Sequence, residues 1–384
     1  MKPATHPRQR PADAKLLQID ARGRLQHHAR QALPQLLRSG DLLVANDAGT
    51  LPASLHGVHG RSGAAIEVRL AGRSTLAVDA VRDFSAVVFG AGDHRMRTED
   101  RPAPPPLEPG DLLLLGPLRA RVRQLLGHAR LIALRFEGVP DAIWAGIARH
   151  GKPVQYAYLN EPLALWDSWT RIAALPVAFE PPSAGFLLDW ALLDRLRAAG
   201  IGFATLTHAA GLSSTGDAAL DARLPLDEPY RIPPATVDAI RRTREAGGRV
   251  VALGTTVTRA LEHAAARAAR QAGDARLQPG EGLATNRLSR QTPLRVVDGL
   301  VSGTHEPGSS HHALLEAFAD SATLARMDAA LEARGYRGHE YGDSVLLWRA
   351  HDGTAHAVAC NAAYNAAHNA ARSVYQLAPS HSAG

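Results

Sequence analysis

The sequence lacks several features that define common classes of protein. Cys360 is the only cysteine among 384 residues, which excludes an internal disulfide framework and any zinc or iron–sulfur site built from several cysteines. No apolar run is long enough to span a bilayer, and the N-terminal stretch MKPATHPRQRPADAK has no apolar core of a secretory signal. We therefore expect a soluble, cytoplasmic protein without a membrane partner.

Lysine is also scarce, because Lys2, Lys15 and Lys152 are the only three and arginine supplies the remaining basic charge. The formal net charge of +6 favours an anionic partner, since summed positive charge attracts polyanions. That indication is weak, because an arginine- and alanine-rich composition is typical of a genome-wide bias. The arginines within residues 241–244 are interpreted as the solvated face of a helix.

The length of the chain and the spacing of its apolar residues predict two domains. A chain of 384 residues is too long for one compact core of ordinary size. Between residues 57 and 140, short β-rich segments alternate with turns and no helix intervenes, which predicts a small antiparallel barrel or sandwich. The predicted strands lie at residues 64–70, 75–81, 84–89, 111–115 and 130–136.

After the β-rich segments the pattern changes to alternating helices and strands. Amphipathic helices are predicted at residues 189–200 and 233–248, and a further helix follows the buried strand RVVAL. Another buried strand begins near Leu42. Such alternation favours a parallel sheet with helices packed on it.

We therefore predict an α/β fold with a mainly parallel sheet and flanking helices, interrupted by a small antiparallel β-barrel domain. The α/β domain is predicted to be discontinuous, comprising residues 1–56 and 141–350, and the inserted barrel comprises residues 57–140. The low-complexity tail at residues 351–384 is assigned no function.

The segment VVALGTTVTRALE places Gly254, Thr255 and Thr256 between a buried strand and a helix. The first helical turn has free N–H groups and the positive end of the helix dipole, and ligands of α/β proteins collect at this edge of the sheet. The turn therefore suits a carboxylate or a phosphate. An equally supported alternative is that Thr255 only caps the helix. One turn further on, Arg259 and Glu262 are predicted to pair on the surface.

The segment VVDGLVSGTHEPGSSHHALLEAF holds three histidines around a turn between a predicted strand and a predicted helix. A metal site is disfavoured, because the adjacent His311 and His312 would point about 100° apart on a helix. We interpret the segment as a loop that lines the same pocket as the turn at Gly254. His305 is then a candidate acid, base or polar contact, since the pKa of an unperturbed histidine lies near neutrality.

Two further strand ends carry polar residues whose role the sequence leaves open. Asn46 and Asp47 follow the buried strand in DLLVAND, and Tyr341 and Asp343 precede a buried strand in YGDSVLL. Each is either a ligand contact or a turn former, and no short motif decides between the two.

In their order along the chain, DLLVAND, LPASLHG, PPSAG, GTTVTRALE, VVDGLVSGTHEPGSS and YGDSVLL resemble the S-adenosylmethionine:tRNA ribosyltransferase-isomerase family of queuosine biosynthesis. The correspondence runs from about residue 7 to residue 348, and GTTVTRALE and YGDSVLL are its most specific motifs. The resemblance implies an α/β domain interrupted by a β-barrel.

The implied reaction moves the ribosyl part of S-adenosylmethionine to the aminomethyl group of a 7-deazaguanine in a tRNA anticodon, and it releases adenine and methionine. S-adenosylmethionine is then a substrate. We expect no metal and no other cofactor, because a general base and a network of polar contacts suffice. The expected partners are S-adenosylmethionine and tRNA, and we expect a monomer.

Several motif positions depart from the family pattern. The arginine of the family's Asn-Asp-Thr-Arg-Val is Gly49 in this chain, and that of Pro-Ala-Arg-Leu is Ser54. A histidine of the family is replaced by Leu187, and another lies one position early, at His208. Such replacements leave the scaffold intact but remove donors that a charged substrate needs.

Two classes of function follow. In the first, the protein is an enzyme that uses S-adenosylmethionine, either on the family's tRNA or, as a divergent paralogue, on another deazapurine or small acceptor. In the second, it has lost turnover and binds a nucleoside or RNA. We favour the enzyme, because the Gly254 turn persists together with the predicted catalytic residues, which are His305, Glu228 and Asp343. The predicted substrate contacts are Asn46, Asp47, Ser183, Gly185, Gly254, Thr255, Thr256, Arg259 and Tyr341. We interpret His311 and His312, where the family is apolar, as helix residues partly exposed to solvent.

Overall fold

A computed structural model describes residues 1–7, 13–272 and 276–350, so Cys360 and the tail from residue 351 lie outside the described residues. The strands in chain order are β1 (Lys2–Pro3), β2 (Lys15–Ile19), β3 (Leu25–Ala29), β4 (Leu42–Asn46), β5 (Ala48–Thr50), β6 (Ser54–His59), β7 (Ala65–Gly72), β8 (Asp83–Phe89), β9 (Leu112–Leu115), β10 (Leu118–His128), β11 (Leu131–Phe136), β12 (Leu175–Ala178), β13 (Gly202–His208), β14 (Glu228–Ile232), β15 (Val250–Leu253), β16 (Gly280–Ala284), β17 (Gly299–Gly303), β18 (Arg337–Gly338) and β19 (Ser344–Trp348). The α-helices are α1 (Leu33–Leu36), α2 (Pro140–His150), α3 (Trp190–Ala198), α4 (Ala218–Asp221), α5 (Pro234–Glu245), α6 (Thr255–Ala272), α7 (Ser310–Leu315) and α8 (Ser321–Ala333).

Most strands belong to two sheets. Six of them close into an antiparallel barrel in the order β10-β11-β8-β7-β6-β9. Nine others form an open sheet in the order β16-β14-β13-β4-β15-β17-β19-β2-β3. Its central strands β13, β4, β15 and β17 are parallel to one another, and antiparallel pairs lie on both sides of them. The predicted fold class is therefore confirmed.

The open sheet is covered on both faces, as strand β4 illustrates. Leu42 and Val44 pack into a core with α5, α6 and α8 on one face, whereas Leu43 and Ala45 pack with α1 and α3 on the other. Successive side chains of a strand point to opposite faces, so a central strand between two helical layers needs an unbroken apolar run. With both faces covered, the strand ends are the part of this sheet left open for a site.

The two amphipathic helices form where the sequence predicts them. The carboxylate of Asp189 accepts a hydrogen bond of 2.6 Å from the N–H of Leu192 and thereby caps α3. Helix α5 begins at Pro234, which suits a first turn because proline lacks the N–H that would be unpaired there. The chain leaves α5 through Gly247, whose φ of +75° is readily adopted by glycine.

The predicted strand at residues 75–81 is wrong, because these residues form a loop. Leu76 and Val81 are buried but Val78 is 56% exposed, so the segment has no alternating buried face to place in a sheet. The longest barrel strand is instead β10, for which no strand was predicted. No helix within the described ranges combines the length and the apolarity that crossing a membrane requires.

Candidate functional site

A cleft lies at the carboxyl edge of the open sheet, beyond the ends of β15 and β17 and beside the segment that follows β13. It encloses about 750 Å³, a volume that includes space open to solvent. The cleft wall contains a set of polar groups from distant parts of the chain, namely Glu180, Ser183, Ser213, Glu228, Thr255, Thr256, Arg259, Ser302, His305, Ser310, His311 and Glu340.

The turn between β15 and α6 forms one wall of this cleft. Gly254 has a φ of +101°, a value that L-residues with a side chain rarely adopt. Helix α6 begins at Thr255, so Gly254 precedes the helix and Thr255 lies within its first turn. The interpretation of Thr255 as the residue that caps α6 is therefore wrong. The first-turn N–H groups, which have no acceptor within the helix, and the side chains of Thr255 and Thr256 lie at the cleft.

Two stacked histidines also line the cleft. The ring centroids of His305 and His311 are 4.4 Å apart with an interplanar angle of 15°. Burial, reinforced by neighbouring histidines, holds the pKa of His305 well below its usual range, and burial lowers the pKa of His311 to about 4. Both rings are therefore neutral at physiological pH, and each can accept a hydrogen bond on its unprotonated nitrogen.

His311 is a partly exposed residue of α7, as interpreted from the sequence, and it also lines the cleft and stacks on His305. His312 points elsewhere, and its Nε2 lies 3.1 Å from the carboxylate of Asp328. Ser309 caps α7, since its Oγ accepts a hydrogen bond from the N–H of His312 at 3.2 Å. Within the described ranges, no group of three or more His, Cys, Asp or Glu residues is arranged to hold a metal ion.

Glu228, the first residue of β14, is fixed at the cleft wall by a buried network. Its carboxylate forms an ion pair with Arg259 and accepts a hydrogen bond of 2.5 Å from the N–H of Gly211. Burial raises the pKa of Glu228, whereas the guanidinium of Arg259 opposes this rise. Behind it, Nε2 of the wholly buried His208 lies 3.4 Å from Oε2 of Glu228. Burial lowers the pKa of His208 to about 3, so this histidine is neutral.

Arg259 also donates hydrogen bonds to the carbonyls of Leu226, Ala284 and Asn286 at 2.8–3.0 Å. It therefore orients Glu228. The predicted surface pair of Arg259 with Glu262 is wrong, since both side chains are buried. The carboxylate of Glu262 instead accepts hydrogen bonds from the backbone N–H groups of residues 295–297 at 2.7–2.9 Å.

The sequence is similar to those of known proteins over most of its length. The sequence profile described as queuosine biosynthesis protein matches residues 2–347. The S-adenosylmethionine:tRNA ribosyltransferase-isomerase of Azoarcus sp. is 35% identical over 326 residues, covering 83% of this chain and 86% of that protein. Enzymes of the same name from Sorangium cellulosum and Thermosynechococcus vestitus are 33% and 31% identical, covering 90% and 88% of this chain and 94% and 90% of their own lengths. The chain belongs to this family.

Within this family member, Asn46 and Asp47 lie at the end of β4 but outside the cleft wall. The Asn46 side chain donates to the carbonyl of His208 at 2.9 Å and accepts hydrogen bonds from the N–H groups of Ala48 and His208. The Asp47 carboxylate accepts hydrogen bonds from the hydroxyls of Thr205 and Thr207 at 2.8 and 2.7 Å. Both residues therefore join β4 to β13.

Asp343 and Tyr341 line a neighbouring cavity, which shares Ser183 and Glu340 with the cleft. The Asp343 carboxylate accepts 2.8 Å hydrogen bonds from the N–H groups of Lys15 and Arg337, so it holds β2 beside the end of β18. The ring of Tyr341 stacks on Phe186 at 4.9 Å.

The short 3₁₀ segment Ser183–Leu187 lies between the two cavities. Ser183 lines both of them, and its side chain forms a hydrogen bond with Glu340. Gly185 does not line the cleft; it packs against Thr170, and an added Cβ would lie 2.9 Å from Cγ2 of that residue. Glycine is therefore needed here for close packing.

Sequence reasoning missed the carboxyl groups of the buried Glu180 and the partly buried Glu340. Glu180 is 5% exposed, and its Oε2 accepts a 3.0 Å hydrogen bond from the N–H of Ser213. Burial, followed by the negative charge of Glu340, raises the pKa of Glu180 to about 8. Burial also raises the pKa of Glu340. Their positions in the sequence were the signal of a place in the site, because Glu180 directly precedes the PPSAG motif and Glu340 directly precedes YGDSVLL.

Proposed function

We propose that this protein transfers and isomerises the ribosyl moiety of S-adenosylmethionine onto the 7-aminomethyl-7-deazaguanine of a tRNA, with release of adenine and methionine. Membership of the family supports the reaction. One structural observation supports this reaction for this chain. An open cleft at the carboxyl edge of the sheet brings together a helix N-terminus, two neutral histidines and buried carboxyl groups. S-adenosylmethionine presents a carboxylate, an ammonium and ribose hydroxyls, and each needs a polar partner once it leaves water.

The reaction begins with the removal of a proton from C5′ of the ribosyl group. The positive sulfur acidifies the C5′ hydrogens and allows methionine to leave as a neutral thioether. We assign the proton acceptor to His305, because its imidazole lines the cleft and histidine is the side chain that most often acts as a general base. The first turn of α6, with Thr255 and Thr256, supplies donors for the substrate carboxylate or the ribose hydroxyls. Glu228, oriented by Arg259, is assigned to the ribose hydroxyls.

The decisive experiment incubates the protein and S-adenosylmethionine with tRNA that contains the deazaguanine, or with the free base, and follows adenine and methionine by mass spectrometry. We expect both products with the tRNA. Products with the free base alone would show a divergent paralogue that uses a small acceptor, and their absence with either acceptor would leave a binding protein.

The same cleft is proposed to bind S-adenosylmethionine without a metal ion, since its donors are backbone amides, hydroxyls and imidazoles. Calorimetry in the presence and absence of a chelator should give affinities within a factor of two of each other. Binding that vanishes when the chelator is added would contradict this part of the proposal.

A further inference from the structure

Two carboxyl groups on the cleft wall have a hydrogen-bonding capacity that the described residues leave partly unused. Glu180 and Glu340 both line the cleft, and Glu180 is only 5% exposed. Glu180 accepts a hydrogen bond of 3.0 Å from the N–H of Ser213, and Glu340 forms one with the side chain of Ser183. An ionised carboxylate has about four acceptor positions. The pair therefore retains acceptors for a ligand that carries N–H groups.

The same two carboxyl groups lack a counter-ion within ion-pair distance. No Lys, Arg or His among the described residues forms an ion pair with either of them. The charge of Arg69 does oppose the rise in the pKa of Glu180, but burial and the negative charge of Glu340 outweigh it. The Nε of Arg69 itself donates a 2.7 Å hydrogen bond to Glu67. Two interacting carboxyl groups share a proton, because both ionise together only at high cost. An ammonium group would supply the positive charge that the pair lacks.

The donors at the beginning of α6 lie next to this pair. An added Cβ on Gly254 would be 3.4 Å from the Cβ of Ala184, and Ala184 follows Ser183, the residue that bonds to Glu340. The cleft therefore has a helix N-terminus and a pair of acceptors on adjoining parts of its wall. An α-amino acid group needs this combination, because its ammonium donates hydrogen bonds, its carboxylate accepts them, and both are attached to the same carbon atom.

We propose that Glu180 and Glu340 bind the α-ammonium group of S-adenosylmethionine, and that the first turn of α6 receives its α-carboxylate. The inference rests on the proposed function and deepens it, because it names the residues that fix the methionine end of that substrate. The ribose hydroxyls and the amino group of adenine offer the pair no positive charge. The sulfonium is positive but has no N–H, so it would leave the free acceptors of the pair unused.

The test compares three ligands by calorimetry on the full chain. They are S-adenosylmethionine, S-adenosylhomocysteine and a deaminated analogue of S-adenosylhomocysteine that lacks only the α-ammonium group. The wild type should bind the deaminated analogue at least about tenfold more weakly than S-adenosylhomocysteine, which is the scale of a lost charge-assisted hydrogen bond.

The variants Glu180→Gln and Glu340→Gln should each reduce this preference for the ammonium at least about threefold, and the double variant should nearly abolish it, because the ammonium then has no charged partner. The affinities for S-adenosylmethionine and S-adenosylhomocysteine should fall by the same factor, since both ligands carry the ammonium. The exposed control Glu245→Gln, which alters an ion pair with Arg241 on α5, should keep the preference of the wild type.

A wild type without the preference would overturn the inference. An unchanged preference in the double variant, with a melting temperature that matches the wild type, would also overturn it. A loss confined to S-adenosylmethionine would do the same, because the pair would then serve the sulfonium. The preference is a ratio within one protein, so partial unfolding, which weakens all ligands alike, does not imitate the expected result. If the double variant does not fold, the two single variants decide by the same ratio.

The inference and the proposed function fail separately. A preference for the ammonium that depends on the pair, without adenine release in the presence of either acceptor, would refute only the proposed reaction. Adenine release by the wild type, together with an unchanged preference in both single variants, would refute only the role of the pair.

Discussion

At the scale of single residues, the polar groups at the sheet edge differ in how far the protein already satisfies them. Asn46, Asp47 and Asp343 use their oxygens on backbone N–H groups and hydroxyls, so they hold the edge together. His305 and Glu180 face open space. The sequence could not separate the two groups, because a polar residue at a strand end has the same local pattern in either role.

The assignment of His305 as proton acceptor predicts that His305→Ala abolishes adenine release, with a loss of at least about a hundredfold, which is the usual contribution of a general base. The protein should stay folded, since the imidazole borders a cavity. His312→Ala, on the same segment but outside the cleft wall, should retain most activity. Adenine release by the two variants is measured under saturating S-adenosylmethionine, and near-normal release by His305→Ala would contradict the assignment.

The raised pKa of Glu180 predicts that the stability of the protein depends on pH. Its pKa is about 8 in the folded protein against an ordinary value of 4.5, so the folded state keeps a proton that the unfolded state loses. The contribution of protonated Glu180 to the free energy of unfolding is therefore complete below pH 4.5, and it declines as the pH rises towards 8. Between pH 5.5 and 8.5 the wild type should lose roughly 2–3 kcal/mol relative to Glu180→Gln. Urea unfolding measures this difference, and parallel pH profiles of the two proteins would refute the raised pKa.

At the scale of elements, helix α6 organises the site through contacts that its own sequence does not reveal. The periodic apolar pattern and the Gly254 turn were enough to predict the helix and its place at a sheet edge. The partners of Arg259 and Glu262 were not predictable, because each reaches a segment about thirty residues away in sequence. Local spacing favoured a pair one turn apart, and burial of both groups excluded it.

The contacts of Glu262 predict a large effect on stability. Glu262→Ala removes the acceptor of three backbone N–H groups at residues 295–297, and leaving buried donors unpaired should cost about 2–4 kcal/mol. Glu245→Ala on α5 removes an exposed ion pair with Arg241 and should cost less than about 0.5 kcal/mol. Urea denaturation compares the two. Equal destabilisation would show that Glu262 has no special role.

At the scale of the whole molecule, the cleft arises at the carboxyl edge of the open sheet, where segments from distant parts of the chain meet. The alternation of helices and strands predicted the sheet, and the sheet predicted where a ligand would lie. The approach of Glu180 to Glu340 was not predictable, because the two residues are distant in the chain and only the folded arrangement brings their carboxyl groups together.

The central claim is that S-adenosylmethionine occupies the cleft at the carboxyl edge, and hydrogen–deuterium exchange of the loaded protein tests it most directly. We predict slower amide exchange in peptides that cover residues 253–258 and 302–311, with no change in the barrel strand at residues 118–128. Unchanged exchange at those strand ends under saturating S-adenosylmethionine, or slowing confined to another surface, would contradict the claim.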